Sequence, residues 1–144
     1  YAFAKLGRCP EHVQRAKSAH AFCDRIRASE GIITEALDSL YKSGKKVAIW
    51  GGTGKSAAFM NRYQADAQRF PIVVDSDLSK AGTYVPGTGQ EIKFRDWLIE
   101  HPADIIIIPP QWRAKDIVEE MKQNNIHAER VLIEHDGGLI SFKG

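Results

Sequence analysis

Apolar positions along the chain follow two rhythms: steps of three and four, and short unbroken runs. From Glu11 to about Ser43 the spacing is helical. Val13, Ala16, His20, Cys23 and Ile26 recur at helical steps, and Ile33, Leu37, Leu40 and Tyr41 continue the stripe. Pro10 suits a first helical turn, Gly31 is a point where the pattern weakens or breaks, and Ser43-Gly44 supplies a helix stop. The first apolar run, Val47 to Trp50, predicts a strand that ends at three glycines. A helix is expected from about Lys55 to Ala65, with Ala58, Phe59, Arg62 and Tyr63 as its only hint of a stripe.

The second run, Pro71-Ile72-Val73-Val74, predicts a strand ending at Asp75. The turn-rich stretch from Asp75 to Gly89 predicts a long loop. Glu91-Ile92-Lys93 offers a short strand, and Phe94 to Glu100 a helix. Asp104-Ile105-Ile106-Ile107-Ile108 is the clearest strand, because an unbroken isoleucine run is what a parallel strand covered on both faces requires. Pro109-Pro110 stops it. A helix follows from about Lys115 to Asn124, with Ile117, Val118 and Met121 on one face. Arg130 to Ile133 is a last buried strand, and Leu139 to Phe142 a short edge strand. Strands alternating with helices over short connections predict an α/β fold. The expectation is a Rossmann-like three-layer domain with a mostly parallel sheet over 44–144, preceded by an N-terminal helical extension over 1–43.

Composition narrows this reading. The 144 residues are 43% apolar and 26% charged, enough for one soluble domain with a core and too few for two ordinary ones. The net charge of +2 is spread among nearly equal numbers of acids and bases, which argues against a nucleic-acid or membrane surface. Cys9 and Cys23 lack the partners of a zinc site and are too far apart along a helix for a disulfide. They are expected to be free thiols in a reducing cytoplasm. The run from Ile105 to Pro110 is far too short to span a bilayer, and the N-terminus lacks a signal-peptide pattern. The chain begins at Tyr1 rather than Met and is read as a piece of a longer polypeptide.

The chemistry centres on Trp50-Gly51-Gly52-Thr53-Gly54-Lys55-Ser56. A triphosphate-wrapping P-loop needs a glycine five positions before Gly54, and that position is Ile49. Gly52-Thr53-Gly54-Lys55-Ser56-Ala57 instead matches G-x-G-x-x-G/A after a strand, with Asp75 where an acid meets a ribose hydroxyl. Three readings stay open. One is an NAD-dependent oxidoreductase or dinucleotide-binding domain using Gly52, Gly54 and Asp75. Another is a degenerate docking module, and the third is a turn that glycine merely tightens. Lys55 at a helix start suits phosphate. Lys80 lies toward the edge where open α/β sheets bind ligands, and Trp112 after a strand end suits stacking on a base. His12, His20, His101 and His127 have no ligand or triad spacing, and His135, beside Asp136, is the one histidine on the functional edge.

Three motifs recur in order: Val47 to Lys55, then Val74 to Thr88 with Asp75, Lys80, Gly82 and Pro86-Gly87-Thr88, then Pro109-Pro110-Gln111-Trp112. Together they resemble the C-terminal domain of S-adenosylmethionine-dependent C-methyltransferases acting on nucleotide-linked deoxysugars. The similarity covers about Leu40 to Ile133. The sequence departs from the family pattern at Gly52, where the family has Ala, at Ser56, where Gly is usual, and at Arg113-Ala114. The resemblance implies a domain that is not catalytically complete alone. A preceding methyltransferase domain outside this chain would bind S-adenosylmethionine, and this domain would help hold a small-molecule substrate of the nucleotide-sugar type. Candidate substrate- or nucleotide-binding residues are therefore Gly51, Gly52, Thr53, Gly54, Lys55, Asp75, Lys80, Gly82, Pro86, Gly87, Thr88 and Trp112. No catalytic residue and no metal ligand is assigned.

Overall fold

A computed structural model describes residues 31–135 and 137–142. Strands β1 (Val47–Trp50), β2 (Ile72–Asp75), β3 (Ile92–Phe94), β4 (Ile105–Ile108), β5 (Arg130–His135) and β6 (Gly138–Ser141) build one sheet, ordered β3-β2-β1-β4-β5-β6. β1 to β5 run parallel, and β6 returns antiparallel on β5. The helices are α1, described over 31–42, α2 (Gly54–Arg62), α3 (Trp97–Glu100) and α4 (Ala114–Gln123). The chain winds outward from β1 to β3, then crosses back to add β4 on the other side of β1. The sheet is Rossmann-like, and its order reverses between β1 and β4.

Alternation along the strands divides the interior into two layers. Val47, Ile49, Val73, Ile92, Ile105, Ile107 and Leu132 face α1 and α2, packing with Ile33, Leu37, Phe59 and Met60. Ala48, Trp50, Val74, Ile106, Ile108 and Ile133 face α3 and α4, packing with Leu98, Ile117 and Met121. All four isoleucines of β4 are buried because the strand has a helix layer on each side. At about 1.5–3 kcal/mol per buried side chain, this run is a principal source of the fold's stability.

Several elements differ from their sequence expectation. The buried face of α2 is Ser56, Ala57, Phe59 and Met60, continued by Tyr63, whereas Ala58 and Arg62 are exposed. The helix starts at Gly54 and stops at Arg62, short of Ala65. Gln64 then takes a left-handed conformation (φ 57°) that ends it. Phe94 is the last residue of β3, not the start of a helix, because it pairs with Asp75, and α3 is left with four residues. β5 runs two residues past Ile133, since Glu134 and His135 pair with Leu139 and Gly138.

The stretch from Asp75 to Gly89 is more ordered than a turn-rich loop. It contains a 3-10 turn at Leu78–Lys80 and then pairs with β3: the Ile92 N–H donates to the Thr83 carbonyl, and the Gly82 N–H to the Ile92 carbonyl, each at 2.8 Å. The helix expected over 11–43 is described from residue 31 on, where Gly31 is helical. Cys9, Cys23, His12, His20 and Asp136 lie outside the described residues. Among the described residues no helix is long and apolar enough to cross a membrane.

Candidate functional site

A parallel sheet opens a crevice where its strand order reverses, beyond the carboxyl ends of the strands. Here that crevice is a cleft of about 190 Å³ between the ends of β1, β2 and β4 and the start of α2. Trp50, Gly51, Thr53, Lys55 and Ser56 come from the β1–α2 turn, Asp75, Ser76 and Lys80 from the end of β2 and its loop, and Pro110, Trp112, Arg113 and Ile117 from the segment after β4.

The turn is built by backbone constraints. Gly51 has φ +112°, and a Cβ there would run into the Ser56 hydroxyl, which donates to the Trp50 carbonyl at 3.2 Å. The Gly51 N–H donates to the Val74 carbonyl at 2.6 Å, tying the turn to β2. A Cβ on Gly52 would meet the Ile92 side chain, so the third strand presses on the turn from below. Thr53 is the N-cap of α2, yet its side chain does not cap the helix, and the first turn holds no acid. The amide N–H groups of that first turn lack intrahelical acceptors and carry the positive end of the helix dipole toward the cleft.

Three cationic residues line the cleft into which that helix end opens. Lys80 Nζ donates to the Thr53 hydroxyl at 2.8 Å. Its position is fixed by the 3-10 turn, where the Asp77 carboxylate accepts from the Ser79 N–H at 3.0 Å and its hydroxyl at 2.7 Å. These two bonds, hydroxyl first, hold the Asp77 carboxyl below its ordinary value. Lys55 Nζ lies 3.6 Å from Glu134 Oε1 and 5.8 Å from the centre of the Trp112 ring. Arg113 also lines the cleft, next in the chain to Trp112, which is 68% exposed. Burial of the isoleucines ahead of it and the Pro109-Pro110 stop leave Trp112 on a 3-10 turn (Gln111–Arg113), clear of the core.

Asp75 sits at the predicted place with a different occupation. It is only 9% exposed; Oδ2 accepts the Gly52 N–H at 3.1 Å, and Oδ1 accepts the Asp77 N–H at 2.9 Å. An acid that clamps the ribose of a dinucleotide would have to share both oxygens with these bonds. Here the carboxylate braces the glycine turn.

Of the twelve candidates, Gly51, Thr53, Lys55, Asp75, Lys80 and Trp112 line the cleft, with Gly52 and Gly54 in the same turn. Gly82, Pro86, Gly87 and Thr88 are not among its lining residues. Gly82 turns the loop toward β3. The Pro86 carbonyl accepts from Asn61 Nδ2 at 2.8 Å, and Gly87, at φ +87°, leaves no room for a Cβ beside Asn61. Thr88 donates to Gln90 Oε1, while Gln90 Nε2 donates to the Ala65 and Phe70 carbonyls at 2.7 and 3.0 Å. This turn thus anchors the loop beneath the outer face of α2 and satisfies a buried amide. His135 lies at the end of β5, its Nδ1 3.0 Å from Gln111 Oε1. Trp50, Ser56, Ser76, Pro110, Arg113 and Ile117 also line the cleft. Sequence offered no signal for Trp50 or Ile117, whose pattern is that of core, and only the position after Asp75 for Ser76.

Compared with protein families, residues 10–133 match the model of the C-methyltransferase C-terminal domain. The chain belongs to this family. Among solved structures, the C-methyltransferase C-terminal domain is similar to UDP-D-quinovosamine 4-dehydrogenase from Vibrio fischeri, at 19% identity and a TM-score of 0.48, over 69% of this chain and 93% of that one. No curated protein matches it.

Proposed function

We propose that this C-methyltransferase C-terminal domain binds the enzyme's acceptor substrate, a nucleotide-linked sugar, in the cleft at the β1–α2 turn. The observation that carries this reading is that Lys55, Lys80, Arg113 and the exposed Trp112 line one cleft with the uncapped start of α2. Helix N–H groups and cations suit a diphosphate, and charge-assisted bonds to it contribute about 1.5–3 kcal/mol each. An exposed indole next to that anion site suits the face of a base.

C-methyltransferases in general take their methyl group from S-adenosylmethionine, and the residues of this cleft do not fit that donor. Its sulfonium is a cation, while the rim is cationic and the carboxylate in the wall, Asp75, is occupied by two backbone N–H groups. A preceding methyltransferase domain is therefore the partner that would hold the donor, with this domain presenting the sugar to it.

Calorimetric titration of the chain with thymidine diphosphate-glucose and uridine diphosphate-glucose tests the reading. Saturable heat is expected for at least one of them, and little for S-adenosylmethionine. Heat no greater than a mononucleotide control would sink the proposal.

A further inference from the structure

Ser76 follows Asp75 at the end of β2 and lines the cleft. Its hydroxyl accepts from Trp50 Nε1–H at 3.0 Å and donates to Glu120 Oε1 at 3.1 Å. Glu120 projects from α4. Its other oxygen lies 3.1 Å from Arg95 Nε as an ion pair, though not aligned as a hydrogen bond, and Arg95 Nη2 donates to Asn124 Oδ1 at 3.3 Å.

The polarity of this chain of contacts is fixed by its ends. An indole N–H only donates, and an ionised carboxylate only accepts. A hydroxyl owns one proton and two lone pairs. The proton of Ser76 is committed to Glu120 and one lone pair to Trp50, which leaves a single lone pair. We propose that Ser76 presents this lone pair to the cleft and selects ligands that offer an O–H or N–H donor there. This inference rests on the reading of the cleft as a nucleotide-sugar site. Nucleoside diphosphate sugars carry such donors on either side of the phosphates, in the ribose hydroxyl, the imide N–H of a pyrimidine base and the sugar hydroxyls.

The alternative polarity is costly. For Ser76 to donate to a ligand acceptor, its proton must leave Glu120, and the partly buried carboxylate beside Arg95 gives up an accepted bond. Asp75 is the more buried of the two acceptors, and each of its oxygens already accepts a backbone N–H. Glu120 is then a positioning residue: it acts on the ligand through the direction of the Ser76 O–H.

The test uses thymidine diphosphate-glucose and three relatives that each lack one class of donor: the 3′-deoxyribose analogue, the N3-methyl base analogue and thymidine diphosphate without the sugar. Calorimetry on the wild-type chain is expected to show one of the three binding about tenfold more weakly than the parent, the loss of one hydrogen bond. In Ser76→Ala that difference should vanish, with the parent weakened to the level of the analogue. Glu120→Gln keeps the side-chain volume but lets an amide N–H point at Ser76 and release its proton, so the discrimination should collapse there too. Thermal melts establish that each variant is folded, and either variant alone decides the matter. A wild type that does not discriminate, or discrimination that survives the substitution, overturns the role of Ser76 while the cleft reading stands. Failure of the parent ligand to bind wild type overturns both.

Discussion

Lys80 Nζ reaches 2.8 Å across to the Thr53 hydroxyl and so joins the loop after β2 to the residue that begins α2. Thr53 does not cap its own helix, and its oxygen accepts from the lysine. The pairing leaves an ammonium group parked at the helix start, with two donors to spare for an anion. Lys80→Ala is expected to weaken thymidine diphosphate-glucose binding roughly tenfold while moving the unfolding free energy by no more than about 0.5 kcal/mol. In wild type the affinity should fall as salt is raised from low to physiological ionic strength, and that slope should flatten in the variant. Equal slopes by calorimetry would remove Lys80 from the anion site.

Trp112 offers an optical readout. Trp50 is 2% exposed and Trp97 half-buried, so Trp112, at 68%, is the indole most open to a soluble quencher. Acrylamide quenching is expected to decrease when ligand saturates the cleft, and Trp112→Phe should lose most of that change while still binding. Quenching unchanged at saturation would place the ligand away from this ring.

Two of the positive-φ glycines, Gly87 and Gly51, should separate stability from binding. Gly87→Ala forces a Cβ against Asn61 at φ +87° and is expected to cost about 1–3 kcal/mol in urea unfolding, with the cleft's affinity preserved. Gly51→Ala carries a similar strain at φ +112° but displaces Ser56 within the cleft wall. It should lower both stability and affinity. The same loss of affinity from both variants would mean the Pro86-Gly87-Thr88 turn contributes to the site after all.

Acid should loosen the turn that carries Lys80. Hydrogen bonds from Ser79 hold the Asp77 carboxyl below its ordinary value of 3.8, so its contribution is complete above that value and is lost as pH falls through the lower, folded one. An NMR titration of the Asp77 carboxyl is expected to give a midpoint under 3.8. Asp77→Ala, which removes both accepted bonds, should weaken ligand binding at neutral pH by releasing the turn that positions Lys80. A midpoint at or above 3.8 contradicts the arrangement.

How much of this was legible in the sequence depends on where the information resides. The Ile105–Ile108 strand could be read directly, because burial on both faces leaves an unbroken run. The glycine turn and the cationic residues Lys55 and Lys80 were legible too, since backbone geometry and charge have local signatures. The buried face of α2 was not. Ser56 is buried there because it bonds the Trp50 carbonyl, and a hydroxyl in an apolar stripe breaks the pattern that marks a core face. The stretch from Asp75 to Gly89 reads as loop from its glycines, prolines and serines, yet its order comes from pairing with β3, a contact with residues beyond it in the chain. Ser76 gains its character from Trp50 and Glu120, which are 26 and 44 residues away, and no local spacing encodes that triangle.

The bonds from Ile92 and Gly82 that fold this loop back onto β3 occupy backbone groups on the outermost parallel strand. Such groups, left open, recruit strands from other molecules. The segment that carries Lys80 to the cleft is thus also the selvedge of the sheet, the finished border that keeps the fabric from unravelling into its neighbours. A lesion that frees it would produce two defects at once, a blind cleft and a self-adhesive rim, and protein recovered in aggregates would record the loss of the site as faithfully as an assay.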